Sequence, residues 1–572
     1  MTSFRLQSFP FAQSAIETWS LADRSHDDWP VVYTISNDKE IYVGETVNAA
    51  TRMRQHISVP ERKSLKHVQV IQNERFNKSA CLDLEAHLIR YFAADGKFKV
   101  LNGNHGISES NYFEREKYRE SFKEVFDLLV GEGYLTRPIP EIVNSDLFKY
   151  SPFKSLNTDQ AVALTGILDR LFSDLASGRD DEIVIQGDPG TGKTIVAIYL
   201  LKLLSDIGRY LPDEISGEDS VFAEYFTDHY RGLLSNLKIG FVIPQQSLRK
   251  TVQKVFKSIP GLDGASVITP FDVGKSKEIF DLLIVDETHR LGQRANQSSA
   301  QQNKLFKSIN QNLYGADDIW KTQLDWIRSR SKKRILLIDA NQTVRPADLP
   351  IELLEKLISS AKTRDSFFRL SSQMRVLGGD DYIDFVADLL TKTPKKANKS
   401  GSYDLRFFDH FRDMQDAIHE KNQSEGLARL VAGYAWDWVS KKNKSRPDIE
   451  IEGEKLFWNR AKVDWINSKT SGDEVGSIHT VQGYDLNYAG VIIGADLKFD
   501  SGNQTVWFDR ASYFDKKGRE NNPTLGKNYS DEDIKQFVIN IYRVLLTRGI
   551  KGTYVYVVDD ALRHHLSQFF PA

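Results

Sequence analysis

Residues Gly187 to Thr194 read GDPGTGKT, and their types and spacing suit one task, the gripping of a chain of phosphates. Glycines at Gly187, Gly190 and Gly192 allow a tight turn whose backbone N–H groups cradle phosphate oxygens at a helix N-terminus. Lys193 has the reach and charge for the β- and γ-phosphates, and the Thr194 hydroxyl suits Mg²⁺, while Asp188, Pro189 and Thr191 complete the loop. A second pair of groups completes the chemistry. In DLLIVDETHRL, at 281–291, Asp286 can stand near the metal and Glu287 can polarise an attacking water. The chemistry predicted is binding and hydrolysis of a nucleoside triphosphate with Mg²⁺.

Such a loop works only between a strand and a helix. EIVIQ precedes it with the continuous apolar character of a buried strand, and IVAIYLLKLL follows with helical apolar spacing. Further on, KIGFVIP, SVITP, DLLIVDE and RILLID alternate with helical stretches, which predicts a parallel sheet covered on both faces. Polar stretches near 205–237 and 290–332 read as insertions, and the lysine-rich TKTPKKANKSGS at 391–402 as a solvated loop. DLRFF, AGVIIGA and GTYVYVVDD repeat the strand pattern in the second half and predict a second α/β domain. Upstream, VVYTIS and IYVGE flank the turn-forming NDKE, a hairpin pattern, before a basic helix (NAATRMRQHI) and an amphipathic one (SACLDLEAHLIRYFAA). A helical stretch near 112–131 runs into GEGYLTRPIPEI, whose glycines and prolines suit a linker.

Composition bounds the remaining classes. A chain of 572 residues has room for about three to four domains. The 76 basic and 78 acidic residues leave a net charge of −2, so binding to nucleic acid has no support from net charge and needs a local basic surface. The single cysteine, Cys81, excludes an internal disulfide and a cysteine-rich zinc site. The N-terminal MTSFRLQSFPFAQSAIETWS lacks the pattern of a signal peptide, and no apolar run is long enough to span a membrane. The expected compartment is the cytoplasm.

Several further pieces fall in a fixed order along the chain. Gln160 in LNTDQ precedes the phosphate loop, IPQQSLRKT and ITPF follow it, and RILLIDANQTVRP carries Gln342. LSSQMRV then carries Arg375, SIHTVQGYDL carries Gln482 and Gly483, and IYRVLLTRGIKG carries Arg543 and Arg548. Over roughly residues 155–565 this series resembles the superfamily-one helicases, most closely the Schlafen-like DNA/RNA helicase domain family. The resemblance implies that Gln160 contacts adenine, that Gly483 lies at the nucleotide, and that Gln342 senses the γ-phosphate. It implies that Arg375 and Arg548 reach that phosphate from the second domain, so that hydrolysis follows closure of the cleft. Two positions depart from the common pattern: THRL follows the Asp–Glu pair, and Asp485 stands where related helicases often carry Glu.

The segment VVYTISNDKEIYVGETVNAATRMRQH at 31–56 resembles the GIY-YIG nucleases, with Tyr33 and Tyr42 in the two tyrosine motifs, then Arg52 and His56. Glu85 in LDLEAHLIRYF matches that family's metal-binding glutamate and Asn102 its downstream asparagine, with Asn104 a close competitor. The resemblance implies that Tyr33 or Tyr42 helps activate water, that Arg52 binds the scissile phosphate and that Glu85 holds one Mg²⁺. His56 and His105 are read as ordinary polar residues rather than ligands.

The predicted fold class is α/β: a small GIY-YIG-like domain followed by two RecA-like parallel-sheet helicase domains. The boundaries expected are an extension at 1–27, the nuclease-like domain at 28–130, a linker at 131–154, and motor domains at 155–365 and 366–572. The expected cofactors are ATP and Mg²⁺, and the expected partner is nucleic acid, DNA rather than RNA. KKNKSRP at 441–447 is the most basic short run and reads as a solvated loop.

Overall fold

A computed structural model of the chain describes residues 4–22, 24, 27–102, 112–153, 156–209, 221–339, 342–372, 376–391, 394–397, 403–461, 465–481 and 484–571. Two compact units divide it: Met1–Thr165 with Ile195–Asn236 and Val252–Gly264, and Gly166–Thr194 with Leu237–Thr251 and Ala265–Ala572.

The first unit is built on a five-stranded sheet of β1 (Arg5–Pro10), β2 (Asp27–Ser36), β3 (Glu40–Asn48), β4 (His67–Gln72) and β5 (Lys99–Val100), in the order β1-β4-β2-β3-β5. The predicted hairpin is β2–β3. Asn37 closes its turn, its Oδ1 accepting the N–H groups of Lys39 at 2.8 Å and Glu40 at 2.7 Å. Asn48 and Asn77 cap the helices Ala49–Ser58 and Lys78–Asp95 by accepting one backbone N–H each. Val31, Tyr33, Ile35, Met53, Val68 and Val70 form the core.

Three expected boundaries are corrected. Residues 1–27 are not a separate extension, because β1 pairs antiparallel with β4 and the helix Gln13–Ala22 buries Ile16 and Trp19 in the same core. Residues 131–154 are not a free linker. Ile139–Asn144 and Asp146–Lys149 are helical, and Thr136 and Arg137 bond Asp95 and Ala94 at the end of Lys78–Asp95. The third correction lies in the second unit, where residues 367–370 complete the first motor sheet.

That sheet comprises β6 (Glu182–Gly187), β7 (Ile239–Val242), β8 (Val267–Ile268), β9 (Phe280–Val285), β10 (Ser331–Ile338) and β11 (Phe367–Leu370). All are parallel, in the order β11-β6-β10-β9-β7-β8, so β11 at the edge belongs here rather than to the next domain. The two predicted insertions contain helices, Asp228–Leu234 in one and Ala300–Tyr314 and Gln323–Ser329 in the other.

The second lobe follows in β12 (Asp404–Phe407), β13 (Ala428–Ala432), the hairpin β14 (Ile449–Ile451) and β15 (Glu454–Leu456), β16 (Val475–Ser477), β17 (Leu486–Ile493), the hairpin β18 (Leu497–Asp500) and β19 (Thr505–Phe508), and β20 (Gly549–Val557). Its main sheet is parallel in the order β12-β20-β17-β13-β16. Every residue of β17 is buried, as a central strand covered on both faces requires, and its one amide side chain, Asn487, donates to Glu425 O and Gly426 O. Among the described residues no helix is long and apolar enough to cross a membrane.

Candidate active sites

The phosphate loop leaves the end of β6, and its backbone has the form its glycines predict. Gly190 (φ +91°) and Gly192 (φ +81°) lie in the left-handed region. A Cβ on Gly187 would fall 2.4 Å from Thr191 Oγ1 and 3.3 Å from Leu370 Cβ, so only hydrogen fits there. Thr191 donates its hydroxyl to Asp188 O at 3.0 Å and holds the turn closed. The helix Lys193–Gly208 then starts, placing Lys193 and Thr194 at its N-terminus.

Lys193 is turned into the protein. Its Nζ donates to Gly187 O at 2.6 Å and Asp188 O at 3.1 Å, and pairs with Asp339 Oδ2 at 3.1 Å. The same Asp339 oxygen accepts Gln342 Nε2 at 2.6 Å. Thr194 donates its hydroxyl to Asp286 Oδ2 at 2.7 Å. Burial, reinforced by Glu287, raises the Asp286 carboxyl above the ordinary carboxylate range. Burial acts the same way on Glu287, but His289, Arg290 and Lys193 outweigh it and hold that carboxyl low. Glu287 has a left-handed backbone, with φ of +49°.

His289 stands between these groups. Its Nδ1 accepts the Asp339 N–H at 3.3 Å, so the ring proton is on Nε2, the nitrogen 2.9 Å from Glu287 Oε2. Neither His289 nor Asp339 was singled out by the sequence reading. Asp339 closes the strand run RILLID three residues before Gln342, the same strand-end signal that marked Asp286.

A glycine cradle that excludes a Cβ, a buried lysine held only by oxygens, and a Thr–Asp pair beside it fit a triphosphate with a divalent ion. The remaining predicted motor residues are dispersed. Arg548 is buried in the second lobe and donates to Val544 O at 3.2 Å and Tyr484 O at 3.3 Å. Gln160 belongs to the first unit, buried, with Oε1 accepting Asn157 N–H at 3.4 Å. Arg375, Gln482 and Gly483 lie outside the described residues.

In the first unit the β2–β3 register sets Tyr33 opposite Gly44 and Tyr42 opposite Ile35. A Cβ on Gly44 would fall 2.4 Å from Tyr33 Oη, so the second motif's glycine makes room for the first motif's tyrosine. Tyr33 Oη lies 2.6 Å from His56 Nε2, and the tyrosine rings are 6.4 Å apart. Arg62 donates to His56 Nδ1 and stacks 4.0 Å from the Tyr42 ring centre. His56 therefore carries its proton on Nε2 and donates it to Tyr33 Oη. Burial, then Arg62 and Arg52, push the His56 imidazole down to about 2, so the ring is neutral. Arg52 bears on both tyrosine hydroxyls, whose pKa values burial raises.

Glu85 projects from Lys78–Asp95 into the same site. Burial, then Glu45, push its carboxyl up to about 8, while Lys78 is 2.9 Å from Glu45. Lys78 and Arg52 offset that rise only in part, and among the described residues no cluster of three or more His, Cys, Asp or Glu side chains could hold a metal ion. Asn102 faces elsewhere, its amide accepting Val43 N–H at 3.0 Å and donating to Val43 O at 2.7 Å. Tyr33, Tyr42, Arg52, His56 and Glu85 thus converge, and Asn102 serves the main chain of β3. Asn104 and His105 lie outside the described residues.

A phosphate loop at one strand end, an Asp–Glu pair at a nearby strand end and a second parallel sheet define a two-lobed P-loop ATPase. The chain belongs to the family described as Schlafen group 3, DNA/RNA helicase domain, which matches residues 181–559. Membership implies ATP with a divalent metal ion and nucleic acid as partner. The Saccharomyces cerevisiae uncharacterized protein YPL245W is 28% identical over 451 residues, covering 72% of this chain and 90% of that protein. The Borreliella burgdorferi ATP-dependent DNA helicase RecG is 25% identical over 284 residues, 47% of this chain and 40% of RecG. Among solved structures, an Arterivirus nonstructural protein 10 (helicase) with DNA is 13% identical with a TM-score of 0.28, covering 70% of this chain and 67% of that one.

Proposed function

We propose that the chain is an ATP-driven nucleic-acid translocase carrying a metal-dependent endonuclease of the GIY-YIG type, acting on DNA rather than RNA. The observation that carries this reading is the convergence of Tyr33, Arg52, His56 and Glu85 in a chain that also holds the Lys193–Thr194–Asp286 site. The name of the RecG relative supports DNA.

In the motor, Lys193 exchanges Asp339 for the β- and γ-phosphates, and Thr194 and Asp286 hold the divalent ion, which neutralises phosphate charge. Glu287 orients the attacking water, and Gln342, released from Asp339, reports the γ-phosphate. Gln160 and Gly483 flank the nucleotide, and Arg375 and Arg548 stabilise the transition state when the cleft closes. In the nuclease, Glu85 holds a second divalent ion, which supplies Lewis acidity. Arg52 binds the scissile phosphate, and Tyr33, accepting a hydrogen bond from His56, or Tyr42 beside it, helps to activate the attacking water. A second reading, a nucleic-acid-sensing ATPase switch whose first unit binds without cutting, is favoured by the full burial of Tyr33 and the structural engagement of Asn102.

Nicking of supercoiled DNA, and of RNA, with Mg²⁺ and ATP tests the proposal. We expect nicking by the wild type, its loss in Glu85→Ala, and loss of ATP turnover in Lys193→Ala. Nicking that persists in Glu85→Ala removes the nuclease, and ATP turnover with no cleavage by the wild type establishes the switch. Defence against foreign DNA is a biological setting that suits such a fusion, tested by infection of cells with and without the gene.

A further inference from the structure

The second lobe carries a basic surface that the motor motifs do not account for. Between β13 and β16 the chain makes an excursion over residues 433–461, including the β14–β15 hairpin. It is a folded platform, not a loose loop. Asp448 staples its two ends, accepting Ser440 N–H at 2.6 Å and Trp458 N–H at 2.8 Å. Trp458 is fully buried with Ile449 and Leu456, and it bridges to Val475, extending the sheet past β16.

The outer turn of this platform presents Lys441, Lys442, Lys444 and Arg446, all exposed. Val439 O accepts the N–H groups of Lys442 at 3.0 Å and Asn443 at 3.1 Å, and Asn443 O accepts that of Arg446 at 3.1 Å, so the four cations share one compact turn. Arg460, also exposed, lies at the far end. Among the described residues none of the five side chains pairs with a carboxylate, while the backbone N–H of Arg460 donates to Glu474 Oε2 at 2.8 Å. By contrast the exposed Arg406 and Arg412 and the half-buried Lys551 of the same lobe are matched to Asp404, Glu454 and Glu425. Two of the five rest on aromatic rings, Lys441 Nζ at 5.3 Å from the Trp438 centre and Arg460 Cζ at 3.8 Å from that of Phe457.

The platform is locked to the segment that follows β16. Asn459, beside Arg460, accepts Ser477 N–H at 2.7 Å and the Thr480 hydroxyl at 2.6 Å. Tyr434 stacks on Trp458 at 5.5 Å, and its hydroxyl donates to Ser477 Oγ at 3.3 Å. The frame that carries the cations is thus hydrogen-bonded to Ser477 and Thr480.

We propose that residues 441–446 and Arg460 form a binding surface for the sugar-phosphate backbone of the nucleic-acid track. Each uncompensated cation that meets a phosphate releases a counter-cation condensed on the nucleic acid, and a polyanion of regular spacing is the partner such a cluster fits. The assignment rests on the motor reading, so the test separates the two.

Binding of a labelled single-stranded DNA to the full chain is measured across a KCl series, with basal and DNA-stimulated ATPase in parallel. The proteins compared are wild type, the Lys441→Ala/Lys442→Ala/Lys444→Ala/Arg446→Ala quadruple variant, Arg460→Ala, and the quadruple variant rebuilt with Arg at 441, 442 and 444. The quadruple variant is expected to lower the log–log salt slope by about 0.7 per lost phosphate contact, roughly 2–3 in all, and to weaken binding about 10²-fold near 0.1 M salt. Arg460→Ala should remove about one contact. Basal ATPase stays at the wild-type rate, which also shows that the variants fold, and the rebuilt variant recovers the slope. Tight wild-type binding with an unchanged slope in the quadruple variant overturns this surface and leaves the motor standing. Absence of any DNA or RNA binding by the wild type overturns the motor reading and the surface with it.

Discussion

His289 bridges the two halves of the hydrolysis site, with Glu287 at one ring nitrogen and the Asp339 backbone at the other. Fully buried, with Glu287 on one side and the Asp339 N–H on the other, it holds the Glu287 carboxylate in place. Replacing it by Ala should lower kcat about 10- to 100-fold while leaving KM for ATP nearly unchanged, as loss of an outer-shell partner does. His289→Asn, which restores a donor, should recover part of the rate. Steady-state kinetics decides the matter: a raised KM with unchanged kcat would mean that His289 serves binding instead. The phosphate loop and the Asp286–Glu287 pair were legible because each is contiguous in sequence and each chemistry demands its own residue types. The Lys193–Asp339 pair was not, since its partners are 146 residues apart and meet only through the β6-β10 pairing.

At the level of elements, the side chain of Asn102 continues the short ladder of β5 against β3, its amide standing in for one more residue of strand. Removing it leaves the N–H and C=O of Val43 without those partners. Asn102→Ala should therefore destabilise the first unit by about 2–4 kcal/mol, from two lost hydrogen bonds and the desolvation of the groups left behind. Urea denaturation of the full chain should show that unit's transition moving to lower denaturant. A transition at the wild-type midpoint with cleavage lost would instead make Asn102 a phosphate-contact residue. Long apolar strands such as β9, β10 and β17 announced themselves by composition. Among the strands that escaped notice, β16 is the three residues VGS, β1 meets a partner some 60 residues away, and β4 and β13 lie inside their sheets but are only six and five residues long. Such strands are decided by what they pair with, which a local pattern does not record.

At the scale of the molecule, the second unit couples its lobes through the irregular segment that follows β10. Gln293, three residues past Arg290, bonds Pro346 O at 3.1 Å and Asp348 O at 2.6 Å, which ties that segment to the Glu287 loop. From the second lobe Asn540 donates to Thr343 O at 2.9 Å and Tyr529 to Pro346 O at 3.2 Å. Thr251 and Tyr484 meet at 3.2 Å. Removing the donors in Asn540→Ala/Tyr529→Phe should lower stimulation of ATPase by nucleic acid roughly 2- to 30-fold with basal turnover retained, the range for residues that carry coupling. An equal fall in both rates would show damage to the hydrolysis site rather than uncoupling. The acceptors of Asn540 and Tyr529, Thr343 O and Pro346 O, are main-chain carbonyls, which every amino acid possesses. That half of the contact can drift in sequence while the hydrogen bonds survive, so side-chain substitutions at 343 and 346 would leave these two bonds in place. For these two bonds the dependence lies with the donors, and a change at Asn540 or Tyr529 removes a link that substitution of the acceptor residues would leave in place.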